Sequence, residues 1–313
     1  METCKIRIED SAPSIRIDAY LANRLNLPSR SQLKERILEV RLNGKQVKTS
    51  HRIIPGGVIE VSLRPPENPQ YAAEEIPLRI LHEDAHVIVV DKPEGLVVHP
   101  GAGVWHGTLV QGLLHHVKTL KETFPDEPVR PGIVHRLDKE TSGVLIAAKD
   151  PEALEFLAAQ FRWKEVEKTY LALVKGVPSP AEGRILGNLV RDPTNRKRFR
   201  MVESGSERGK SMETWYRVLK TYGSRSFVLL KPRTGRTHQL RVQMQAIGCP
   251  ILGDPVYSRG GTLVKERIPP RLYLHAFSLR IRLPGESNPR TFYAPLPETF
   301  KEALSRISSS TDG

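Results

Sequence analysis

The sequence predicts an α+β protein in which a small N-terminal domain precedes a larger, mainly antiparallel mixed-sheet domain. Many strand-like runs alternate with a few helical segments, without the regular strand–helix–strand order of a parallel sheet. A stretch rich in proline and acidic residues, 65–77, divides the 313-residue chain. We therefore predict domains at 1–64 and 78–303, a linker at 65–77 and a flexible tail at 304–313.

The small domain is predicted from closely spaced helix and hairpin signals. Apolar residues near helical spacing predict a helix over 15–25, and a capping serine precedes a second helix over 32–38. Asn43-Gly44 lies between two strand-like runs, which is typical of a tight hairpin turn. A Pro-Gly-Gly turn then leads into a strand at 58–61.

The small domain also carries excess positive charge. Residues 1–64 contain twelve Lys and Arg against seven Asp and Glu, a surplus of five. Cations on the second helix and the following strand could contact the phosphates of a nucleic acid, although a solvated helix face would give the same pattern. The candidate phosphate contacts are Arg30, Lys34, Arg36 and Arg41.

The larger domain is predicted from alternating strand and helix signals. A strand is expected at 87–90, and an N-cap followed by proline begins a helix over 150–163. The run 168–174 alternates as a strand does, and 232–244 begins as a turn and continues as a helix. The basic, polar stretch 191–211 is expected to be an exposed loop or hairpin.

Composition restricts the function classes. The formal net charge of +13 favours a polyanionic partner, with nucleic acid the first candidate. No run of 18 apolar residues predicts a membrane span, and no membrane partner is expected. Two cysteines are too few for a disulfide framework or a cysteine zinc site, so we expect a cytoplasmic protein.

The stretch G-I-V-H-R-L-D-K-E-T-S-G (132–143) carries the candidate chemistry. Asp138 lies between apolar runs and close to Arg136, an environment in which proteins tune a reactive carboxylate. A neighbouring arginine keeps such a carboxylate ionised, as a nucleophile or base requires. A loop acid that caps a turn or pairs with a surface arginine is the alternative that these residues leave open.

Other candidate residues could bind a nucleotide. Tyr170 can stack on a base that has left its helix, and an arginine can fill the space left behind. The Arg/His-rich turn before the last predicted helix contributes Arg236, His238 and Arg241. Lys92 and Arg236 are candidate phosphate contacts, with a structural role as the alternative for each.

Sequence motifs in both domains resemble known families. L-x-S-R-S-x-L-K, V-x-L-N-G-K and P-G-x-x-I-E-V follow a helix in the order found in S4 domains, which are RNA-binding modules. The larger domain resembles the RluA/RluD-type pseudouridine synthases, and an S4 module ahead of it is the arrangement of the RluD branch. Its matching motifs are D-K-P-x-G-L (91–96), H-R-L-D-K-E-T-S-G (135–143), K-T-Y (168–170), T-G-R-T-H-Q-L-R-V (234–242), L-G-D-P-x-Y (252–257) and L-H-A (274–276).

The resemblance implies a role for each matching residue. Asp138 would be the catalytic aspartate, Arg241 its orienting ion-pair partner, and Tyr170 the ring that packs on the target base. Arg136 would occupy the gap left by the flipped uridine. The implied reaction breaks the N1–C1′ bond and joins C5 to C1′, without cofactor or metal. Whether the aspartate attacks C1′, adds to C6 or removes the 2′ proton stays open.

The resemblance further implies a substrate. The RluD branch modifies large-subunit ribosomal RNA, so we expect that RNA, or a pre-ribosomal particle, as the partner of a monomeric enzyme. A synthase acting on transfer RNA and a non-catalytic RNA-binding assembly factor are the alternatives. His135 and His238 are expected to hold loops by hydrogen bonds rather than to shuttle protons.

Overall fold

The computed structural model describes residues 2–24, 37–63, 72–101, 104–125, 130–195, 198–205, 209–258 and 268–309. Contacts between residues divide the chain into two compact units, Met1–Pro69 and Gln70–Gly313. The division falls inside the proline-rich stretch expected to be a linker. Every helix in the described part of the chain is too short or too polar to cross a lipid bilayer.

The smaller unit is a four-stranded antiparallel sheet covered by a helix. Its elements are β1 (Glu2–Arg7), α1 (Ile17–Arg24), β2 (Ile37–Leu42), β3 (Lys45–Gln46) and β4 (Val58–Leu63). The strand order is β1-β4-β2-β3. Asn43 and Gly44 have φ values of 50° and 76°, which confirms the predicted tight turn between β2 and β3. The predicted second helix lies outside the described residues apart from its last positions, which begin β2.

The larger unit is built on a ten-stranded mixed sheet. Its strands are β5 (Arg79–Glu83), β6 (Val87–Lys92), β7 (Ser142–Ala148), β8 (Glu167–Lys175), β9 (Glu182–Arg191), β10 (Phe199–Val202), β11 (Lys210–Tyr222), β12 (Arg225–Pro232), β13 (Leu274–Ile281) and β14 (Arg290–Tyr293). Its described helices are α2 (Leu109–His116), α3 (Leu120–Thr123), α4 (Pro151–Trp163), α5 (Gln239–Ala246) and α6 (Glu298–Ser309). The strand order is β10-β9-β11-β12-β8-β13-β7-β6-β5, with β14 beside β13.

The pairing of these strands confirms the predicted α+β fold class. Neighbouring strands are antiparallel except β13 and β7, which run parallel in the middle of the sheet. This parallel pair separates two apolar cores, one around β6, β7 and α4 and the other around β8, β12 and α6. Tyr170 in β8 packs against both cores, so it lies at the seam between the two halves of the unit.

Two predicted boundaries are wrong. The backbone N–H of Glu74 donates to Gln111 in α2, and a Cβ on Gly112 would lie 3.1 Å from that of Ile76. The end of the predicted linker therefore packs on the larger unit. The predicted tail is also helical through Ser309, because Ile307 is buried in the core and stabilises the last turns of α6.

Candidate active site

Two glycines fix the loop that carries Asp138. Gly132 and Gly143 have positive φ values of 71° and 119°. A Cβ on Gly132 would lie 2.0 Å from the carbonyl oxygen of Ala148, and one on Gly143 would lie 2.2 Å from that of Ala276. Only glycine fits such close backbone approaches. The loop is therefore held against the sheet at both ends, with Asp138 between them.

Arg241 in α5 joins two carboxylates. Its Nη1 donates to Oδ2 of Asp138 at 3.2 Å, while Nε and Nη2 donate to the two oxygens of Asp254 at 2.7 and 2.9 Å. The side chains of Arg241 and Asp254 are almost completely buried, and that of Asp138 is 16% exposed. Burial lowers the pKa of Arg241, but the two carboxylates outweigh burial and raise it above its usual value. Arg241 is therefore a fixed cation behind Asp138.

The start of α5 is fixed by a polar network. The side-chain oxygen of Gln239 accepts hydrogen bonds from the Thr234 hydroxyl at 2.7 Å and the Arg236 N–H at 3.0 Å. Its Nε2 donates to Glu213 O in β11 at 3.1 Å. These bonds hold the turn before α5 against the sheet, so that the first turn of the helix presents Arg241 to Asp138.

Tyr170 and Lys168 point into the same cavity from β8. Residues two apart in a strand lie on one face, so their side chains are neighbours. Burial, with the charge of Asp138, raises the pKa of Tyr170, which stays neutral. Burial lowers the pKa of Lys168 to about 8. Its ammonium makes a long hydrogen bond of 3.5 Å to Thr234 O.

The cavity has a volume of about 490 Å³, which lies within the range of small-molecule sites. Among the described residues that line it, Asp138 is the one acid, whereas seven are Lys or Arg. Oδ1 of Asp138 makes no hydrogen bond within the described part of the chain. The cavity therefore combines one available carboxylate oxygen with a strongly positive wall that suits a negatively charged ligand.

Comparison with known proteins identifies the family. The family model for RNA pseudouridylate synthase matches residues 86–246, which include Asp138, Tyr170 and Arg241. The chain belongs to the RNA pseudouridylate synthase family. It is therefore an RNA pseudouridine synthase, an isomerase that converts uridine in RNA to pseudouridine.

Individual relatives agree with the family match. Ribosomal large subunit pseudouridine synthase D of Borreliella burgdorferi is 41% identical over 306 residues, covering 96% of this chain and 91% of that protein. The protein of the same name from Nitrosomonas europaea is 38% identical, covering 97% of this chain and 88% of its own. The solved structure of human RNA pseudouridylate synthase domain containing 4 has a TM-score of 0.57 and 30% identity, covering 73% of this chain and 92% of that one.

Both histidines of the synthase's cavity act as structural partners. His135 accepts a hydrogen bond at Nε2 from the Ile146 N–H at 3.1 Å and stacks on Phe161. Burial and the charge of Lys168 lower the pKa of His135 to about 3, so it stays neutral. His238 hydrogen-bonds through Nδ1 to the Tyr257 hydroxyl at 3.0 Å. These contacts agree with the prediction that the histidines hold loops.

Lys92 is not a phosphate contact, so that prediction is wrong. Its side chain is fully buried, and Nζ donates to the carbonyl oxygens of Pro93, Leu96 and Lys139 at 2.8, 2.8 and 3.2 Å. Burial lowers its pKa to about 8 against the opposing charge of Asp138. Because Lys139 follows Asp138 directly, Lys92 fixes the loop that carries Asp138 from the protein interior.

The other predicted RNA contacts have different positions. Arg136 and Arg236 line the cavity and are exposed, so both can reach a ligand. Arg41 is exposed on β2, where its Nε donates to Glu39 at 2.8 Å. Arg30, Lys34 and Arg36 lie outside the described residues. The RNA contacts of these six residues stay predictions.

Asp254 is a site residue for which the sequence predicted no role. Besides the two bonds from Arg241, its Oδ1 accepts the N–H groups of Val256 at 2.8 Å and Tyr257 at 2.9 Å. The available signal was an acid inside the otherwise apolar L-G-D-P-x-Y motif. Its partner could not be read from the sequence, because Arg241 lies in a different element.

Proposed function

We propose that this synthase modifies uridine in large-subunit ribosomal RNA, with Asp138 as the group that reacts with the flipped nucleotide. The observation that carries the proposal is that Oδ1 of Asp138 accepts no hydrogen bond from the described residues, in a positively lined cavity where Arg241 holds Oδ2. The names of the bacterial relatives support the choice of ribosomal RNA as substrate.

Each cavity residue has a distinct part in this proposal. Arg241 holds Oδ2 of Asp138 with a hydrogen bond of 3.2 Å, which leaves Oδ1 available to the ligand. The ring of Tyr170 packs on the uracil face, which suits a base removed from its stack. Arg136, exposed next to the catalytic loop, fills the space that the uridine leaves in the RNA.

The reaction needs no net gain or loss of atoms. The N1–C1′ bond breaks, uracil turns, and C5 bonds to C1′ while the C5 hydrogen leaves as a proton and N1 takes one up. Electrostatic stabilisation in a partly enclosed site supports such charge movement. Asp138 provides the carboxylate for this sequence of steps.

In this proposal the smaller unit contributes affinity for the substrate RNA. Its order of helix, hairpin and strand supports an S4-like RNA-binding domain, and Arg41 lies on its exposed surface. Electrostatic contacts of this kind release counterions, so binding should weaken with salt. We further propose that the synthase acts as a monomer in the cytoplasm.

Release of tritium from RNA labelled at uridine C5 tests the proposal, because the C5 hydrogen must leave when C5 bonds to the sugar. The expected result is release by the wild type from a large-subunit ribosomal RNA transcript and none by Asp138→Asn. RNA binding by Asp138→Asn should stay within a few fold of wild type. Release only from transfer RNA would move the proposal to that substrate. Release by Asp138→Asn at the wild-type rate would refute the role of Asp138.

A further inference from the structure

Trp163 is a large aromatic ring left in solvent at the end of α4. Its side chain is 71% exposed, the highest value among the large hydrophobic residues of the described chain. Within the described residues, no other ring or cation lies against it. Trp215 differs, because Arg217 and Lys231 lie over its ring at 5.1 and 5.7 Å. The ring of Trp163 is therefore open to a partner that approaches from solvent.

The support beneath Trp163 is rigid. Gln160 bonds twice to the backbone of Arg282, donating to its carbonyl at 2.9 Å and accepting its N–H at 3.0 Å. Phe161 stacks on His135 with ring centroids 4.7 Å apart. Lys164 ends the helix in the left-handed region at φ 61° and donates its N–H to the last turn. Trp163 is thus presented from a fixed helix end that is tied to the catalytic loop.

Trp163 lies between two residues that line the cavity. Arg162 and Lys164, its two chain neighbours, are exposed and line the cavity, whereas Trp163 itself does not. A nucleotide flipped into the cavity stays joined to its RNA on both sides, so the adjoining phosphates must cross the rim of the cavity. Two cations suit those phosphates, and an exposed indole suits the face of a base.

We propose that Arg162, Trp163 and Lys164 form a rim site that holds a nucleotide next to the target uridine, with its base stacked on Trp163. The site extends the proposed function, on which it rests, because it adds a contact outside the catalytic cavity. Stacking on a ring reads no particular base edge, so the site contributes affinity and orientation rather than sequence choice. Its occupant is a single-stranded or splayed nucleotide of the substrate RNA.

Kinetics of substituted proteins test the rim site. Trp163→Ala should raise KM for the ribosomal RNA transcript by about 5- to 160-fold, the loss typical of one base–aromatic stack, with kcat within about twofold. Trp163→Phe should recover most of the affinity. Tyr293→Ala is the matched control, because Tyr293 is 59% exposed on β14 and does not line the cavity. A wild-type KM in Trp163→Ala would overturn the proposal.

Fluorescence gives a readout that does not depend on turnover. The chain has three tryptophans, so Trp105→Phe with Trp215→Phe leaves Trp163 as the single indole. Saturating RNA should quench its emission, in the presence or absence of Asp138→Asn. Unchanged emission with bound RNA would refute stacking. Quenching without tritium release by the wild type would refute the proposed function and leave the rim site supported.

Discussion

Replacing Asp254 by asparagine tests how far the site depends on the buried ion pair between Arg241 and Asp254. Asparagine can keep the three hydrogen bonds to Oδ1, from Arg241 Nη2 and the N–H groups of Val256 and Tyr257. Its amide nitrogen, however, would replace Oδ2 and face the Nε–H of Arg241, which now lies 2.7 Å from an acceptor. One hydrogen bond becomes a contact between two donors, and the guanidinium loses its buried counter-charge.

The size of the effect follows from burial. Removing one partner of a buried ion pair typically costs about 3–5 kcal/mol, and Arg241 and Asp254 are almost completely buried. We therefore expect Asp254→Asn to lower the free energy of unfolding by about that amount. Arg241 would also turn away from Asp138, and a displacement of about 1 Å at a reacting group can cost about 100-fold in rate. The expected kcat is about 100-fold below wild type, with RNA affinity nearly unchanged.

The assay combines tritium release with urea unfolding at a temperature where the variant is folded. Asp84→Asn is the matched control, because Asp84 also accepts two backbone N–H groups, from His86 and Val87 at 2.8 Å, but makes no hydrogen bond to Arg241. It should lose stability without losing kcat. A folded Asp254→Asn protein with kcat within threefold of wild type would show that Arg241 does not need Asp254 to hold Asp138. An equal loss of kcat in Asp84→Asn would show that the loss is not specific to the ion pair with Arg241.

Buried groups elsewhere in the larger unit give three more predictions. Burial lowers the pKa of His275 to about 4, so its contribution to stability is lost as pH falls from about 6.5 towards 4, by about 1.4 kcal/mol per pH unit. Urea unfolding across this pH range should show that the free energy of unfolding falls less steeply with pH in His275→Gln than in the wild type. The same pH dependence in both proteins would contradict this prediction. Lys92→Met should lower the free energy of unfolding by about 2–5 kcal/mol, because it leaves buried carbonyl oxygens without a hydrogen-bond donor. It should leave the salt dependence of RNA binding unchanged, whereas Arg236→Ala should make the salt dependence of RNA binding weaker. Gly143→Ala should prevent folding, because its Cβ would meet a β13 carbonyl at 2.2 Å, whereas Gly95→Ala, with open space around it, should give folded protein by circular dichroism.

Local sequence signals predicted several elements well. The N-cap Asp150 and the proline after it marked the start of α4, and the Asp150 side chain accepts the Ala153 N–H at 2.8 Å. Asn43-Gly44 marked a hairpin turn whose two residues have positive φ. Such signals depend on neighbouring residues alone, so they can be read without the tertiary structure.

The ion pair between Asp138 and Arg241 was expected only through family resemblance. Asp138 and Arg241 are 103 positions apart, and no periodicity or turn signal links them. Asp254 received no role for the same reason. Its partner Arg241 reaches it only after α5 and the following loop have packed together. Pairing across such distances depends on the topology of the sheet and not on local propensity.

The sequence alone determined the α+β class, the turn-forming glycines, the helix starts, the surplus of positive charge and the loop that carries Asp138. Tertiary structure decided which cations face a ligand. Lys92 and Arg236 are equally basic in sequence, yet Lys92 is buried on three carbonyls and Arg236 lines the cavity. Residue type sets the charge of a side chain, whereas its exposure and partners are set by the elements that pack around it. This is why chemical identity could be read from the chain and the arrangement of the site could not.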